Sequence, residues 1–242
     1  IGILLATPIH AFAQSALSDD FSDLLPEMQI TDNRAVFSFA DLGLAEKSLF
    51  SPFGVSRILF SVPPNWKLTS GGTVTINFEA VLNGANFNSL SDGGSVGANF
   101  LVRFNEVVVG TVPVNATGSY SVQLSIPDEA LVSKREDGRH ILSIVFDAQL
   151  SCTYNLNAVI TLKSSSSFDL LYESTSPELS LSRLPAPFYL ENSLVPDSTL
   201  VVLPDSPAPE ELQAAMNVIA GLGSMISNDY NVRLASAGEV TD

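Results

Sequence analysis

The chain is poor in the side chains that most enzymes and metal proteins use. Its 242 residues include one cysteine, Cys152, and two histidines, His10 and His140. A single cysteine excludes an intramolecular disulfide bond, and this set cannot complete a zinc site of the His/Cys type. A histidine needs a positioned partner before it acts as a base, and the sequence indicates none for His140. We therefore predict that the protein is not an enzyme and holds no metal and no cofactor.

Basic residues are also scarce, with 11 Lys and Arg against 26 Asp and Glu, which gives a net charge of −15. Nucleic-acid phosphates and anionic lipid repel such a chain, so we expect no nucleic-acid partner and no electrostatic docking on membranes. At 45% hydrophobic residues the chain is too apolar to be a disordered acidic tail. Its length suits one large β-domain or two smaller domains.

The first residues resemble the end of a secretory signal peptide. Residues 1–13 carry no formal charge and end in Ala11-Phe12-Ala13, an A-x-A pattern of the kind that signal peptidase cuts. We predict a signal-peptide remnant at 1–13 and an extracytoplasmic protein, in the periplasm or at the outer face of the cytoplasmic membrane. The alternative is an apolar terminal strand or helix that docks on the fold. Residues 14–34 are polar and acidic, and we predict a flexible lead-in there.

From residue 35 to 183 the sequence has the alternation of β-strands. Val74, Ile76 and Phe78, for example, alternate with Thr75 and Asn77. Similar segments are 36–39, 56–62, 100–104, 107–112, 119–126, 141–148, 158–162 and 168–172. Turn-forming clusters lie between them at Pro63-Pro64-Asn65, Ser70-Gly71-Gly72, Asp92-Gly93-Gly94 and Asp137-Gly138. So many two-faced strands predict a mainly β domain of two antiparallel sheets packed face to face, a sandwich or jelly roll.

A different pattern begins at residue 184 and continues to 242. The apolar run at 199–203 predicts a buried parallel strand, 209–222 an amphipathic helix capped by Asp205 or Ser206, and 231–235 a second strand. These three segments form a β-α-β unit. Two strands cannot bury both faces of such a unit, so we expect the chain to be a fragment of a longer protein.

Aromatic side chains are the candidates for sugar contact, because a ring face stacks on the apolar face of a pyranose. Trp66 and Tyr154 occur in loop-like settings and are our candidate polysaccharide contacts. Tyr120 and Tyr172 share strand faces with apolar residues, which favours a place in the core for both.

Three other features are weaker. His140 follows the charged segment 134–139, which we interpret as an exposed hairpin turn. The loop from Asn83 to Gly97 offers oxygen ligands to calcium, but Asp92 is its one charged residue, so a calcium site there stays open. The paired carboxylates are sequence neighbours with structural explanations, and a glycosidase is retained only as an alternative.

Several short motifs, taken together in order, resemble the periplasmic B subunit of bacterial cellulose synthase. They are Phe39-Ala40-Asp41-Leu42-Gly43, Phe60-Ser61-Val62-Pro63-Pro64-Asn65-Trp66, the hairpin from Val102 to Val109, Ser125-Ile126-Pro127, Leu150-Ser151-Cys152, Leu184-Pro185-Ala186-Pro187-Phe188 and the β-α-β unit. They extend across roughly residues 36–235. At the hairpin turn the family often has Asn-Gly where this chain has Asn105-Glu106.

The resemblance implies a jelly-roll, carbohydrate-binding-like domain at 35–183 and the first part of a flavodoxin-like α/β domain at 184–242. It also implies a non-catalytic accessory subunit that guides or supports the secreted polysaccharide of a membrane β-glucan synthase. The partners would be the catalytic subunit, a family-2 glycosyltransferase, and the β-glucan chain. Membrane anchoring in the family uses a C-terminal helix that this chain does not contain. The alternative is a free-standing secreted module that binds glycan or mediates adhesion.

Overall fold

The structure is a computed structural model in which the described residues form two compact units. The first unit comprises residues up to 59 together with 66–176, and the second comprises 60–65 together with the chain from 177 onward. The described residues are 28–83, 98–133, 135–148, 157–177, 180–195, 198–226 and 231–240. The predicted signal remnant at 1–13 lies outside them, and the domain limits at 35–183 and 184–242 stay predictions.

The first unit is built from eleven strands that belong to two sheets. They are β1 Gln29–Thr31, β2 Arg34–Ser38, β3 Lys47–Phe50, β4 Phe53–Phe60, β5 Trp66–Asn83, β6 Ala98–Phe104, β7 Val107–Val114, β8 Gly118–Ser125, β9 His140–Asp147, β10 Asn157–Leu162 and β11 Ser167–Ser174.

The larger sheet is antiparallel and is organised around β5. Its order is β1-β2-β11-β5-β10-β3, and β8 pairs with β5 as well. β11 and β10 pair with the first and last parts of β5, and β8 pairs with its middle. Val74, Ile76, Phe78 and Ala80 point from β5 into the core, where each is at most 1% exposed. The alternation predicted from the sequence is therefore confirmed here.

The smaller antiparallel sheet has the order β4-β9-β6-β7 and faces the larger one. Phe78 of β5 meets Phe100 of β6 edge to face, with ring centroids 5.0 Å apart. Phe104 of β6 meets Phe168 of β11 in the same manner at 6.3 Å. Phenyl rings supply a large apolar area and a specific packing geometry. These contacts confirm the predicted mainly β fold, a sandwich of antiparallel sheets.

The edge strand β7 departs from a regular strand in three features. Pro113 stands opposite Asn99 of β6, and a proline without an N–H is tolerated at such an edge. A Cβ at Gly110 would lie 2.8 Å from Cδ2 of Leu124, so the glycine lets β8 pack close to β7. The β6–β7 register also shifts between Val102 and Arg103, which is the irregularity of a β-bulge.

Two predictions for the first unit were wrong in part. The lead-in predicted at 14–34 includes β1, which pairs with β2 and is held by the Tyr172 hydroxyl donating to Thr31 O at 2.5 Å. The turn predicted at Ser70-Gly71-Gly72 lies inside β5. Gly71 has a φ of +101° opposite a register shift in β11, so these glycines bend a continuous strand. Pairing along both edges of β5 outweighs the local turn preference.

The second unit contains a β-α-β segment, as predicted. β12 Ser198–Leu203 pairs in parallel with β13 Asn231–Ser236, and the helix α1 Pro209–Met225 lies between them in the chain. A short helix, α2 Ala237–Val240, follows β13. The C-terminal part of the chain is thus a short α/β piece.

The helix α1 differs from its prediction in its cap and its burial. The N-cap residue is Ala208, whose N–H donates to Glu211 Oε2 at 2.9 Å, and Asp205 instead accepts a bond from Gly238 N at 2.7 Å. Of the predicted apolar stripe, Ala215 is buried but Met216 is 50% exposed. The two-stranded sheet is too narrow to cover the whole stripe.

The turn between β6 and β7 is fixed by a buried hydrogen-bond network. Asn105 and Glu106 have φ values of 47° and 69°, the left-handed pair of a tight hairpin. The Asn105 side chain donates to Ala130 O at 2.7 Å, contacts His140 Nδ1 at 2.8 Å, and accepts from Ile141 N at 3.0 Å. Asn105 is 1% exposed, so each of these groups lacks access to water. The side chain of Asn105 therefore holds the hairpin on β9.

We expect glycine to have opposite effects at the two positions of this turn. Glu106→Gly raises the free energy of unfolding by about 0.5–1 kcal/mol, because it removes left-handed strain at an exposed site. Asn105→Gly keeps the backbone freedom but leaves buried partners unsatisfied, and it lowers that free energy by about 2–4 kcal/mol. Urea unfolding of both variants measures the two effects. Equal signs at both positions would contradict this account of the turn.

Candidate functional site

Trp66 is the first residue of β5 and stacks on a neighbouring strand. Its ring centroid lies 3.8 Å from that of Tyr172 in β11, with 10° between the ring planes. The loop setting inferred from the sequence was therefore wrong. Tyr172 covers one face of the indole of Trp66, which is half-buried. A ligand could therefore contact only the other face of the indole.

Tyr172 forms the support of this stack. It is 5% exposed, as predicted for a core residue, and its hydroxyl is bonded to Thr31 O. Burial raises its pKa above the ordinary tyrosine value, and the nearby charge of Asp32 acts in the same direction. The neutral phenol is thus the form that holds Trp66 in place.

Other candidates from the sequence fall outside the described residues. Tyr154 and Cys152 are among them, and so is the oxygen-rich loop beyond Asn83, where calcium was left open. The segment 93–97 has the G-x-S-x-G spacing of a serine nucleophile elbow, and it too lies outside the described residues.

The outer face of the smaller sheet presents a polar row that the sequence analysis missed. Arg103 of β6 is registered with Ser143 of β9. On β4, Ser56 and Ile58 point into the core, so Arg57 between them points outward. We call Arg57, Ser143 and Arg103 the arginine row; Arg57 is exposed, Arg103 is half-buried, and Ser143 between them is buried at 7% exposure.

The position of Arg57 follows from one backbone bond at the end of the sheet. Ala148 N donates to Pro52 O at 2.9 Å, so β4 begins beside the end of β9 and the two strands are antiparallel. Arg57 lies five residues after Pro52, and Ser143 lies five residues before Ala148. Because the strands are antiparallel, these equal offsets place Arg57 beside Ser143. With strands about 4.8 Å apart, the Cα atoms of Arg57 and Arg103 are about 10 Å apart.

An apolar row runs beside the arginine row on the same face. Leu101 of β6 is registered with Val145 of β9. Val55 lies three residues after Pro52, and Val145 lies three residues before Ala148, so Val55 is next to Val145. Val55 is 44% exposed, and both Leu101 and Val145 are half-buried. We call these three residues the aliphatic strip. The strip and the arginine row lie side by side on this face and combine apolar contact area with hydrogen-bond donors.

The arginine row differs from most other basic residues of the first unit, which form ion pairs. Arg34 binds Asp169, Lys67 binds Glu173, and Lys163 lies between Glu46 and Glu79. Arg135 and Arg139 share Asp137, and the hydrogen bond from Arg135 is the main cause of the lowered pKa of that carboxyl.

Within the described part of the chain, Arg57 and Arg103 have no acidic partner. The Nε–H of Arg103 is buried and donates to no acceptor there either. Strand alternation shows that both arginines point outward, but the pairing that aligns β4, β9 and β6 is not readable from the sequence.

His140 is buried, contrary to the exposed turn that we predicted. It is 5% exposed, is the first residue of β9, and stacks on Phe104 at 5.7 Å. Asn105 Oδ1 accepts from Ile141 N, which turns the amide nitrogen of Asn105 toward His140 Nδ1. Nδ1 is therefore the acceptor in this pair and carries no proton. Burial lowers the pKa of His140 to about 4, so the neutral ring is the folded form.

Neither a cluster of metal ligands nor a membrane-spanning helix is found among the described residues. In those ranges no three His, Cys, Asp or Glu side chains come together as a metal site would require. None of the helices described there combines the length and the apolar character needed to cross a bilayer.

No protein-family model matches the chain, and no curated protein matches its sequence. Among solved structures, the CBM36-1 domain of a multidomain xylanase from the hindgut metagenome of Trinervitermes trinervoides is 8% identical, and the match covers 57% of this chain and 96% of that one with a TM-score of 0.31. An acetyl xylan esterase from the rumen bacterium Butyrivibrio proteoclasticus is 10% identical, with coverages of 87% and 47% and a TM-score of 0.29. Dimeric latent PorU from Porphyromonas gingivalis is 12% identical, with coverages of 86% and 26% and a TM-score of 0.29. These likenesses are distant and concern the fold alone.

We expect His140 to make stability depend on pH. Because its folded pKa of about 4 lies below the ordinary value of 6.5, the unfolded chain binds the proton more tightly. Stability is therefore greatest above pH 6.5 and falls by up to about 3 kcal/mol as the pH approaches 4. Urea unfolding between these pH values measures the slope.

The matched substitutions for this test are His140→Gln and His10→Gln. The first removes the buried imidazole and flattens the pH dependence, while the second, at the other histidine, leaves it unchanged. An unaltered slope in His140→Gln would show that other groups cause the dependence.

We expect Trp66 to contribute to stability through its stack on Tyr172. Trp66→Ala lowers the free energy of unfolding by about 2 kcal/mol, less than a fully buried tryptophan would, because Trp66 is half-buried. Trp66→Phe retains an aromatic pair and loses about half as much. Unfolding in urea compares the two, and an alanine variant as stable as the parent would show that the stack contributes nothing.

Proposed function

We propose that the protein is a non-catalytic, extracytoplasmic accessory subunit of a membrane β-glucan synthase, and that it guides or supports the secreted polysaccharide. The observation that carries this proposal is the composition of the outer face of the smaller sheet. There the aliphatic strip and the arginine row lie side by side on hydrogen-bonded strands. A surface of this kind binds an extended chain along its length and performs no chemistry on it.

The order of the two parts of the chain supports the proposal. A sandwich of antiparallel sheets is followed by a β-α-β segment with parallel strands. The cellulose synthase B subunit, which the sequence motifs resemble, has a jelly-roll domain followed by a flavodoxin-like domain. We propose these finer descriptions for the sandwich and for the α/β piece.

The chemistry of the surface fits a polysaccharide ligand. The apolar faces of sugar rings gain contact with Val55, Val145 and Leu101, and sugar hydroxyls accept hydrogen bonds from Arg57 and Arg103. The free face of the Trp66 indole is a second contact in the proposal, on the larger sheet. Tyr154 is retained as a third contact on sequence grounds.

The partner in this proposal is the catalytic subunit, a family-2 glycosyltransferase. Affinity purification of the tagged protein from detergent-solubilised native membranes, with mass spectrometry of the retained proteins, tests the association. We expect a processive family-2 glycosyltransferase at near-stoichiometric yield, and none with an unrelated tagged secreted protein. A monodisperse protein that never retains such an enzyme would rule out the subunit role.

The alternative function is a free-standing secreted glycan-binding module, which the exposed outer face also supports. In that case the purified protein sediments with insoluble cellulose without any partner, and the membrane experiment retains no synthase. If Trp66 also contacts the chain, Trp66→Ala reduces this sedimentation and Trp66→Phe largely preserves it. Release of reducing sugar from β-glucan would contradict both functions and favour a glycosidase.

A further inference from the structure

We propose that the arginine row is an oxyanion-binding site, and that the polysaccharide meeting this face carries carboxylate groups. The proposal rests on the glycan-binding role given above and names the class of glycan. It arises from the arrangement of Arg57, Ser143 and Arg103 on neighbouring strands.

The first argument is an unsatisfied donor. Nε of Arg103 is buried and has no hydrogen-bond partner among the described residues. A buried donor of a charged group without an acceptor is costly, and native proteins retain few of them. A carboxylate of a ligand supplies two acceptor oxygens in one plane that match the guanidinium fork, and a rotation of the Arg103 side chain would bring its buried Nε to that ligand.

The second argument is the distribution of charge. The chain has 26 acidic residues, and five of its basic side chains in the first unit are engaged by them. Two arginines without an acidic partner in the described ranges lie within about 10 Å of each other on one sheet face. Asp147 of β9 shares this face, but Val145 of the aliphatic strip stands between it and Ser143.

The third argument is the neighbouring aliphatic strip. A uronate or carboxyalkyl sugar combines an apolar ring face with a carboxylate at its rim, and the two rows present the complementary surfaces side by side. Free phosphate or acetate would use the arginines alone and leave the strip uncovered. The ligand that fits both rows is therefore a carboxylated polysaccharide.

The net charge of −15 does not oppose this local site. At physiological salt the repulsion from distant carboxylates is screened over about 8 Å, whereas the contacts between Arg57 or Arg103 and a bound carboxylate are direct. Recognition thus depends on the two arginines and not on the overall charge.

The test compares two soluble polymers with the same β-1,4-glucan backbone, carboxymethylcellulose and hydroxyethylcellulose. Affinity electrophoresis of the whole chain measures the dissociation constant for each, and inorganic phosphate serves as the small oxyanion. We expect at least tenfold tighter binding of carboxymethylcellulose than of hydroxyethylcellulose, and no competition by millimolar phosphate.

Substitutions then assign the preference to the arginine row. Arg103→Gln weakens binding of carboxymethylcellulose about tenfold and leaves hydroxyethylcellulose nearly unchanged, and Arg57→Gln adds to the loss. Arg103→Lys has an intermediate effect, because the ammonium keeps the charge but lacks the planar fork. The matched control is Lys47→Gln in β3, which removes a positive charge that also lacks an ion pair in the described ranges but lies on the other sheet. Urea unfolding confirms that each variant is folded.

The outcomes separate this proposal from the proposed function. Equal affinity for the two polymers, or an equal loss in Lys47→Gln, overturns the oxyanion site and leaves the glycan-binding role intact. Failure to bind either polymer overturns both. Strong competition by phosphate would show a small-anion site and overturn the carboxylated polysaccharide as its ligand.

Discussion

β5 joins the parts of the seven-stranded sheet, because β8, β10 and β11 all hydrogen-bond to it. The strand is 18 residues long, and its inward side chains form part of the apolar surface on which the smaller sheet packs. The contact between Phe78 and Phe100 joins the two sheets at this surface. Without the continuous strand, the larger sheet would separate into β1-β2-β11, β3-β10 and the single strand β8, which could not hold the opposite sheet in register.

The outer face of the smaller sheet depends on that support. The core side of β9 is filled by Leu142, Ile144 and Phe146, all fully buried. On the opposite side Ser143 is also buried, at 7% exposure, and Val145 is half-buried. The exposed positions of this face are instead Val55 and Arg57 of the neighbouring strand β4. A strand fixed from both sides is a suitable base for recognising a repeating ligand.

The extent to which the sequence predicted this protein differs between its local and its long-range features. Strand alternation such as that around Val74 and Ile76 was sufficient to predict the sandwich. The apolar run at 199–203 and the amphipathic helix after it were sufficient to predict the β-α-β segment. Three features depended on contacts distant in sequence. The sequence predicts a turn at Gly71, because it does not show the strands that pair on both edges of β5. It predicts an exposed His140, because the partner Asn105 lies far away in the chain. It predicts a loop at Trp66, because the stacking partner Tyr172 is equally distant in sequence. The arginine row was missed for the same reason, since β4, β9 and β6 are adjacent only in the folded sheet.

Pro113 has a consequence for how the protein behaves at high concentration. β7 ends the smaller sheet, and an edge strand is where another chain could add by backbone pairing. A proline at that edge interrupts the row of donors that such addition requires. The β7 edge of the smaller sheet is thus a poorer template for the addition of another chain at the position of Pro113.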